Sequence, residues 1–165
     1  MENFSGLNPE ERERLLDLEK SVELDKAKPI IKKDFLSFVK YVWPEFIEGS
    51  HHKKINKKFN DLASGKIKRL IINMPPRHTK SEFASYLLPA WMIGKNPKLK
   101  IIQATHTADL AIDFGRKTKN LVDEPNYREL FDTRLQEDSQ AAGKWKTEQG
   151  GEYFAAGVGG AITGR

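Results

Sequence analysis

The feature that most constrains this chain is the stretch KRLIINMPPRHTKSEFASYLLPAW, Lys68 to Trp91. Ile67–Asn73 is a short, β-rich apolar run, which predicts a buried strand. Pro75 and Pro76 lack amide hydrogens and fix their own φ, so no strand can continue through them. Arg77-His78-Thr79-Lys80-Ser81 follows at once, and Phe83, Leu87 and Trp91 then recur at helical spacing, with Pro89 expected to kink the helix. A strand, a tight basic loop and a helix in immediate succession suit a loop that grips phosphate. They equally suit a plain strand–turn–helix.

The flanking segments read as follows. Residues 9–25 predict a charged helix, with Asn8 as its cap, Pro9 at its first position, Leu15, Leu16 and Leu18 inward, and Pro29 ending the region. Residues 32–42 predict a second helix with Phe35, Phe38, Val39 and Val42 on one face, and His52–Ala63 a third with Ile55, Phe59 and Leu62, stopped near Gly65. Leu99–Ala104 predicts another strand. Thr107 is placed to cap a helix bearing Leu110, Phe114 and Leu121, and "DEPN" ends it before a short helical piece, "YRELF". From Lys144 the pattern alternates and turns at Gly150-Gly151, as in a β-hairpin, before a glycine-rich close. Strand, helix, strand and helix in the middle predict an α/β fold with a parallel sheet flanked by helices.

Composition narrows the class. The chain has 165 residues, 38% hydrophobic and 31% charged, which is enough for one domain with a real core. It has no cysteine, which excludes disulfides and thiolate metal sites. Its longest apolar runs fall well short of the ~20 residues of a membrane span, and the acidic, polar N-terminus is unlike a secretory signal, so a cytoplasmic setting is expected. The net charge of +5 permits an anionic partner, and the basic residues concentrate at "HHKKINKK" and "KIKR" without the interleaved aromatics of a single-strand stacking platform.

A phosphate loop needs convergent backbone N–H groups, a lysine for the β- and γ-phosphates, a hydroxyl for magnesium and a helix N-terminus aimed at the anion. Lys80-Ser81 has that context. The usual glycines six residues and one residue before the lysine are Met74 and Thr79 here, so the strict pattern fails. The local pattern alone favours a solvated Lys80 and a Ser81 that starts the helix.

The wider run RLIINMPPRHTKSEFASYLLPAWMIG nevertheless resembles the ATPase N-terminal region of the large terminase subunits of tailed bacteriophages. That family's loop usually reads Pro-Pro-Arg-His-Gly-Lys-Ser. Pro75, Pro76, Arg77, His78, Lys80 and Ser81 match it, and Thr79 replaces the glycine. The resemblance extends through "HHKKINKKFNDLASGKIKRLIIN", "IIQATHTADLAIDFGRKTKNLVDEPNYRELF" and "GGAITGR", roughly Phe35 to Arg165. It implies a P-loop NTPase-like fold with a helical N-terminal extension, residues 1–65, and the first part of the ATPase domain, residues 66–165. It implies ATP and Mg²⁺ held by the Walker A-like loop, Pro76, Arg77, His78, Thr79, Lys80, Ser81 and Glu82. Lys80 would contact phosphate, Ser81 would ligate magnesium, and Arg77 would stabilise charge on the γ-phosphate. A structural salt bridge is the other reading of Arg77. His52 lies where the family contacts adenine, although the residue's own pattern favours a helix-surface histidine, and His78 reads as a loop filler.

The activity so implied is a motor that pumps double-stranded viral DNA into a capsid in the host cytoplasm. Its partners would be the portal protein and the small terminase subunit, and it would work as a ring oligomer. Thr79 is the clearest departure, because a β-branched residue is disfavoured where φ is positive, and weakened nucleotide binding is expected from it. Asp123-Glu124 reads as a helix end rather than the acidic strand that hydrolysis needs. In the family that strand follows shortly after the position of Arg165, so an incomplete sheet and an inactive isolated segment are expected. Two other readings stay open: another P-loop motor such as a helicase, and a non-catalytic remnant that binds DNA or portal protein.

Overall fold

A computed structural model describes residues 8–160; Met1–Leu7 and the Ala161–Arg165 part of the glycine-rich close lie outside the described residues. The order is α1 (Pro9–Lys33), α2 (Phe35–Val42), α3 (Ser50–Ala63), a π-helical segment (Glu82–Leu87) running into α4 (Leu88–Lys95), β1 (Lys100–Thr105), α5 (Ala108–Asp123), α6 (Pro125–Leu130), β2 (Leu135–Ala141), β3 (Lys144–Thr147) and β4 (Glu152–Gly157). The fold is mixed α/β. Its open four-stranded sheet has the order β1-β4-β3-β2.

The sheet is mixed, not parallel as expected. β1 and β4 pair in parallel, joined by a connection that runs through α5, α6, β2 and β3, whereas β4 with β3 and β3 with β2 are antiparallel hairpins. The turn at Gly150-Gly151 joins β3 to β4, and Gly150 has φ 92°, where a side chain would be strained. β2, LQEDSQA, is too polar to have been recognised from its pattern. It pairs with β3 through an irregular register between Leu135 and Gln140.

The run Ile67–Asn73, expected as a buried strand, forms no ladder with any described strand. From Leu70 to Met74 it alternates half-buried with exposed residues, the period of a strand, and Ile71 is 87% exposed. Its apolar side lies across a cavity from Ile55 and Lys58 of α3. Periodicity reported the alternation of faces; it could not report whether a pairing partner was present.

α1 also departs from expectation. Pro29 sits inside it, and the break falls at Asp34. Leu16 and Leu18 are 53% and 60% exposed, Leu15 is half-buried, and Ile31 is the buried residue of this helix. The N-terminal half rests on local interactions, chiefly the box in which the Asn8 side chain accepts from Glu11 N–H and the Glu11 carboxylate accepts from Asn8 N–H. On α5, Phe114 and Leu121 are buried, whereas Leu110 is exposed. The irregularity that Pro89 imposes is taken up by the π-helical segment just before it, where Leu88 N–H bonds to Phe83 O.

The core is aromatic. Phe35 is fully buried and meets Phe59, Phe83 and Trp91 edge-on at 5.0, 5.3 and 5.6 Å. One buried cluster runs from Ile31 through these rings to Tyr127, Phe131, Trp145 and Tyr153. Three of its buried polar tips are paired: Trp91 Nε1–H donates to Lys32 O, Tyr127 Oη–H to Ala90 O and Trp145 Nε1–H to Gly115 O, whereas Tyr153 Oη has no hydrogen-bond partner among the described residues.

Asp34 fixes how the three N-terminal helices meet. Its Oδ2 accepts from Ser37 N–H and Ser37 Oγ–H, and its Oδ1 accepts from the Asn56 and Asn60 amides at 2.8 and 2.7 Å. The same asparagines return their oxygens, Asn60 to Phe35 N–H and Asn56 to Leu36 N–H. The first free amides of α2 are therefore satisfied largely by α3.

Asp34→Ala removes this cap and strands both asparagine amides, so urea unfolding should show a loss of about 2–3 kcal/mol. Burial pushes the Asp34 pKa up, but the bonds from Asn56, Ser37 and Asn60 together outweigh it and hold the value below the ordinary one. Its stabilisation is thus complete above about pH 4 and lost as pH falls through the folded value. The stability gap between wild type and Asp34→Asn should narrow in that acid range.

Candidate functional site

The loop after the unpaired run carries two residues in the left-handed region, Arg77 at φ 63° and Thr79 at φ 58°, the only such non-glycine residues described. Helical backbone begins directly afterwards and continues from 80 to 95. Thr79 O accepts from Phe83 N–H at 2.9 Å, so the strained residue also starts the helix. The first amides of such a helix have no intrahelical acceptor and carry its positive end. A β-branched residue held at positive φ costs about 1–3 kcal/mol, so something must hold Thr79 there.

His52 holds it. The residue is 4% exposed, and its ring lies beside the rings of Phe46 and Phe83 at 4.8 and 5.0 Å. Nδ1 accepts from Gly49 N–H at 2.8 Å. A backbone amide can only donate, so the neutral ring carries its proton on Nε2. Nε2–H then donates to Thr79 Oγ1 at 2.8 Å, and Thr79 Oγ1–H donates onward to His78 O at 2.7 Å. Burial first, and then the neighbouring His51, push the His52 pKa below its ordinary value; His78 acts the same way and Glu48 opposes it. Both ring nitrogens are engaged, which leaves none for a base edge, and the ring is not on the helix surface.

The other expected residues gather around the same loop. Pro75, Pro76, Arg77, Thr79, Lys80, Ser81 and Glu82 line an open cavity of about 350 Å³. Lys80 curls back so that Nζ reaches Met74 O at 3.5 Å, and Ser81 is exposed. Arg77 is exposed and forms no ion pair with a described residue, so the salt bridge weighed as its alternative role is absent there. His78 donates from Nδ1 to Pro76 O at 2.9 Å, a contact that folds the loop on itself. The Glu82 carboxylate is paired with Lys117 of α5 at 3.1 Å. The arrangement suits an anion in chemical type: Arg77, Lys80 and Ser81 line one concavity at the start of a helix.

Asp123 and Glu124 stand at the end of α5, as expected, and Asp123 pairs with Arg128 of α6. A larger cavity, about 570 Å³, lies elsewhere, between Pro29, Lys32, Lys33, Gly94, Lys95 and Phe131. It is a broad groove in which Lys95 lies over the Trp91 ring at 4.2 Å. Size alone favours it, but it has neither the strained backbone nor the helix start of the loop.

Comparison of the chain with protein-family models, with curated proteins and with solved structures returns no match. Among the described residues no helix is long and apolar enough to cross a membrane.

The bond between His52 and Thr79 was not foreseen from the sequence. Its one sequence signal was a threonine where a glycine was expected, which calls for a partner to its hydroxyl. The pH behaviour follows from the geometry. Protonation puts a hydrogen on Nδ1 against Gly49 N–H, so the folded chain resists it. Below about pH 6.5 the unfolded chain takes a proton that the folded chain refuses. The stabilisation is complete above that pH and declines below it. Wild type should therefore lose more stability than His52→Gln between pH 7.5 and 5.5, read from urea midpoints at the two pH values.

Proposed function

We propose that the loop 75–81 grips the phosphates of ATP and that the chain is the N-terminal ATPase segment of a phage terminase large subunit, the motor that packages double-stranded viral DNA. The observation that carries the nucleotide reading is the pair of left-handed residues, Arg77 and Thr79, directly before a helix start with Lys80 and Ser81 exposed. Backbone of that shape turns successive N–H groups toward one point, and the helix end adds positive potential there.

The residues fit the ligand in chemical type. Lys80 supplies a point charge to the terminal phosphates, Arg77 a planar donor for charge developing on the γ-phosphate, and Ser81 a hydroxyl for Mg²⁺. The bound ion would neutralise charge on the phosphate oxygens. His78 braces the loop through Pro76 O. The motor identity rests on the resemblance described above, and DNA, portal protein, the small subunit and a ring of copies are its proposed partners.

A second reading is favoured by a specific observation: Asp123 is spent on Arg128, and the Glu82 carboxylate is spent on Lys117. On that reading residues 1–165 bind nucleotide and turn it over negligibly. Calorimetric titration with ATP–Mg tests both. Lys80→Ala should weaken binding by about tenfold or more, the loss of a charge-assisted contact, and equal affinity would overturn the loop assignment. Phosphate release from the wild-type segment near ~1 s⁻¹, abolished by Lys80→Ala, would overturn the second reading.

A further inference from the structure

We propose that His52 is a positioning residue for the loop: its Nε2–H, donated to Thr79 Oγ1, replaces by a hydrogen bond the conformational freedom that a glycine at position 79 would supply. The inference rests on the phosphate-loop reading and deepens it.

The chain of contacts is continuous. Gly49 N–H sets the tautomer of His52, His52 holds the Thr79 hydroxyl, and the Thr79 hydroxyl holds His78 O. His78 in turn closes on Pro76 O, so three residues of the loop, Thr79, His78 and Pro76, are tied to the start of α3. The imidazole cannot drift, because Phe46, Phe83 and His51 surround it. Phe83 belongs to the helix that the loop begins, so the same ring that braces His52 also moves with Lys80 and Ser81.

The strain at Thr79 belongs to the backbone of the folded loop, so it is met when the chain folds. Relieving it with glycine would therefore show in folding stability and not as tighter nucleotide binding. What binding depends on is the hydroxyl, which keeps the Lys80 and Ser81 amides aimed into the cavity. Thr79 is only half-buried, so its variants test the idea without emptying the core.

The experiment is calorimetric titration of ATP–Mg into wild type, Thr79→Val, Thr79→Ser, His52→Gln/Thr79→Val and Lys80→Ala, with thermal melts of each. Thr79→Val keeps the branched shape and loses the hydroxyl; it should weaken binding about three- to tenfold, the worth of one hydrogen bond. Thr79→Ser should bind as wild type, and the double variant no worse than Thr79→Val. Nitrogen-15 spectra at pH 7 should show His52 protonated on Nε2, with that nitrogen shifting in Thr79→Val while Nδ1 stays in place. If Lys80→Ala weakens binding while Thr79→Val does not, or if Thr79→Ser fails as badly as Thr79→Val, the positioning role is wrong although the loop reading survives. An Nδ1–H tautomer also overturns it. If Lys80→Ala binds like wild type, the phosphate-loop reading itself has failed.

Discussion

The architecture depends first on the carboxylate of Asp34. A helix that starts inside a protein leaves its first amides without acceptors, and burying them unpaired would cost more than the helix gains. Here α2 starts on α3, and Asp34, Asn56 and Asn60 exchange donors and acceptors until those amides are met. This fixes α3 against α2 and sets Phe35 against Phe59 and Phe83. It also fixes the position of His52 at the start of α3, four residues before Asn56, and His52 reaches the loop. Polar satisfaction at one helix junction and backbone strain at the loop are two ends of one rigid path.

That path explains how a threonine is kept at a left-handed position. The conformational cost is of the same order as the hydrogen bond that His52 supplies, and the aromatic packing around His52 keeps that bond from being exchanged with water. Strain of this kind persists only where the surroundings over-determine it, and such places are disproportionately ligand-binding. The loop meets both conditions: its neighbours are specified, and it leaves Arg77, Lys80 and Ser81 exposed around a concavity.

What could be read from the sequence was whatever depends on local pattern. Asn8 and Thr107 as caps, the buried Phe83, Leu87 and Trp91 step, β1 within a residue, and the hairpin turning at Gly150 all follow from periodicity and turn chemistry. The candidate loop was legible for the same reason, since prolines, cations and a helical pattern are adjacent in the chain. What failed was non-local. Ile67–Asn73 has strand alternation but no described partner, β2 is a polar strand held by its neighbour, and Leu15, Leu16 and Leu18 belong to a helix whose N-terminal half packs on little among the described residues. Pro29 lies in the fifth-last position of α1, where a proline's missing donor did not end the helix. The Asp34 and His52 networks join residues 20 or more apart, which no window of sequence displays.

The central claim is that the loop, braced from α3, is the place where phosphate binds. Amide shift mapping measures this directly, by titrating the labelled chain with ATP–Mg, with inorganic tripolyphosphate and with adenosine. The account predicts that the amides of residues 77–82 move with ATP and with tripolyphosphate and stay still with adenosine, because the backbone receives phosphate and not the base. Shifts concentrated instead around Gly94, Lys95 and Phe131, in the larger cavity, or an adenosine response equal to that of ATP, would contradict it.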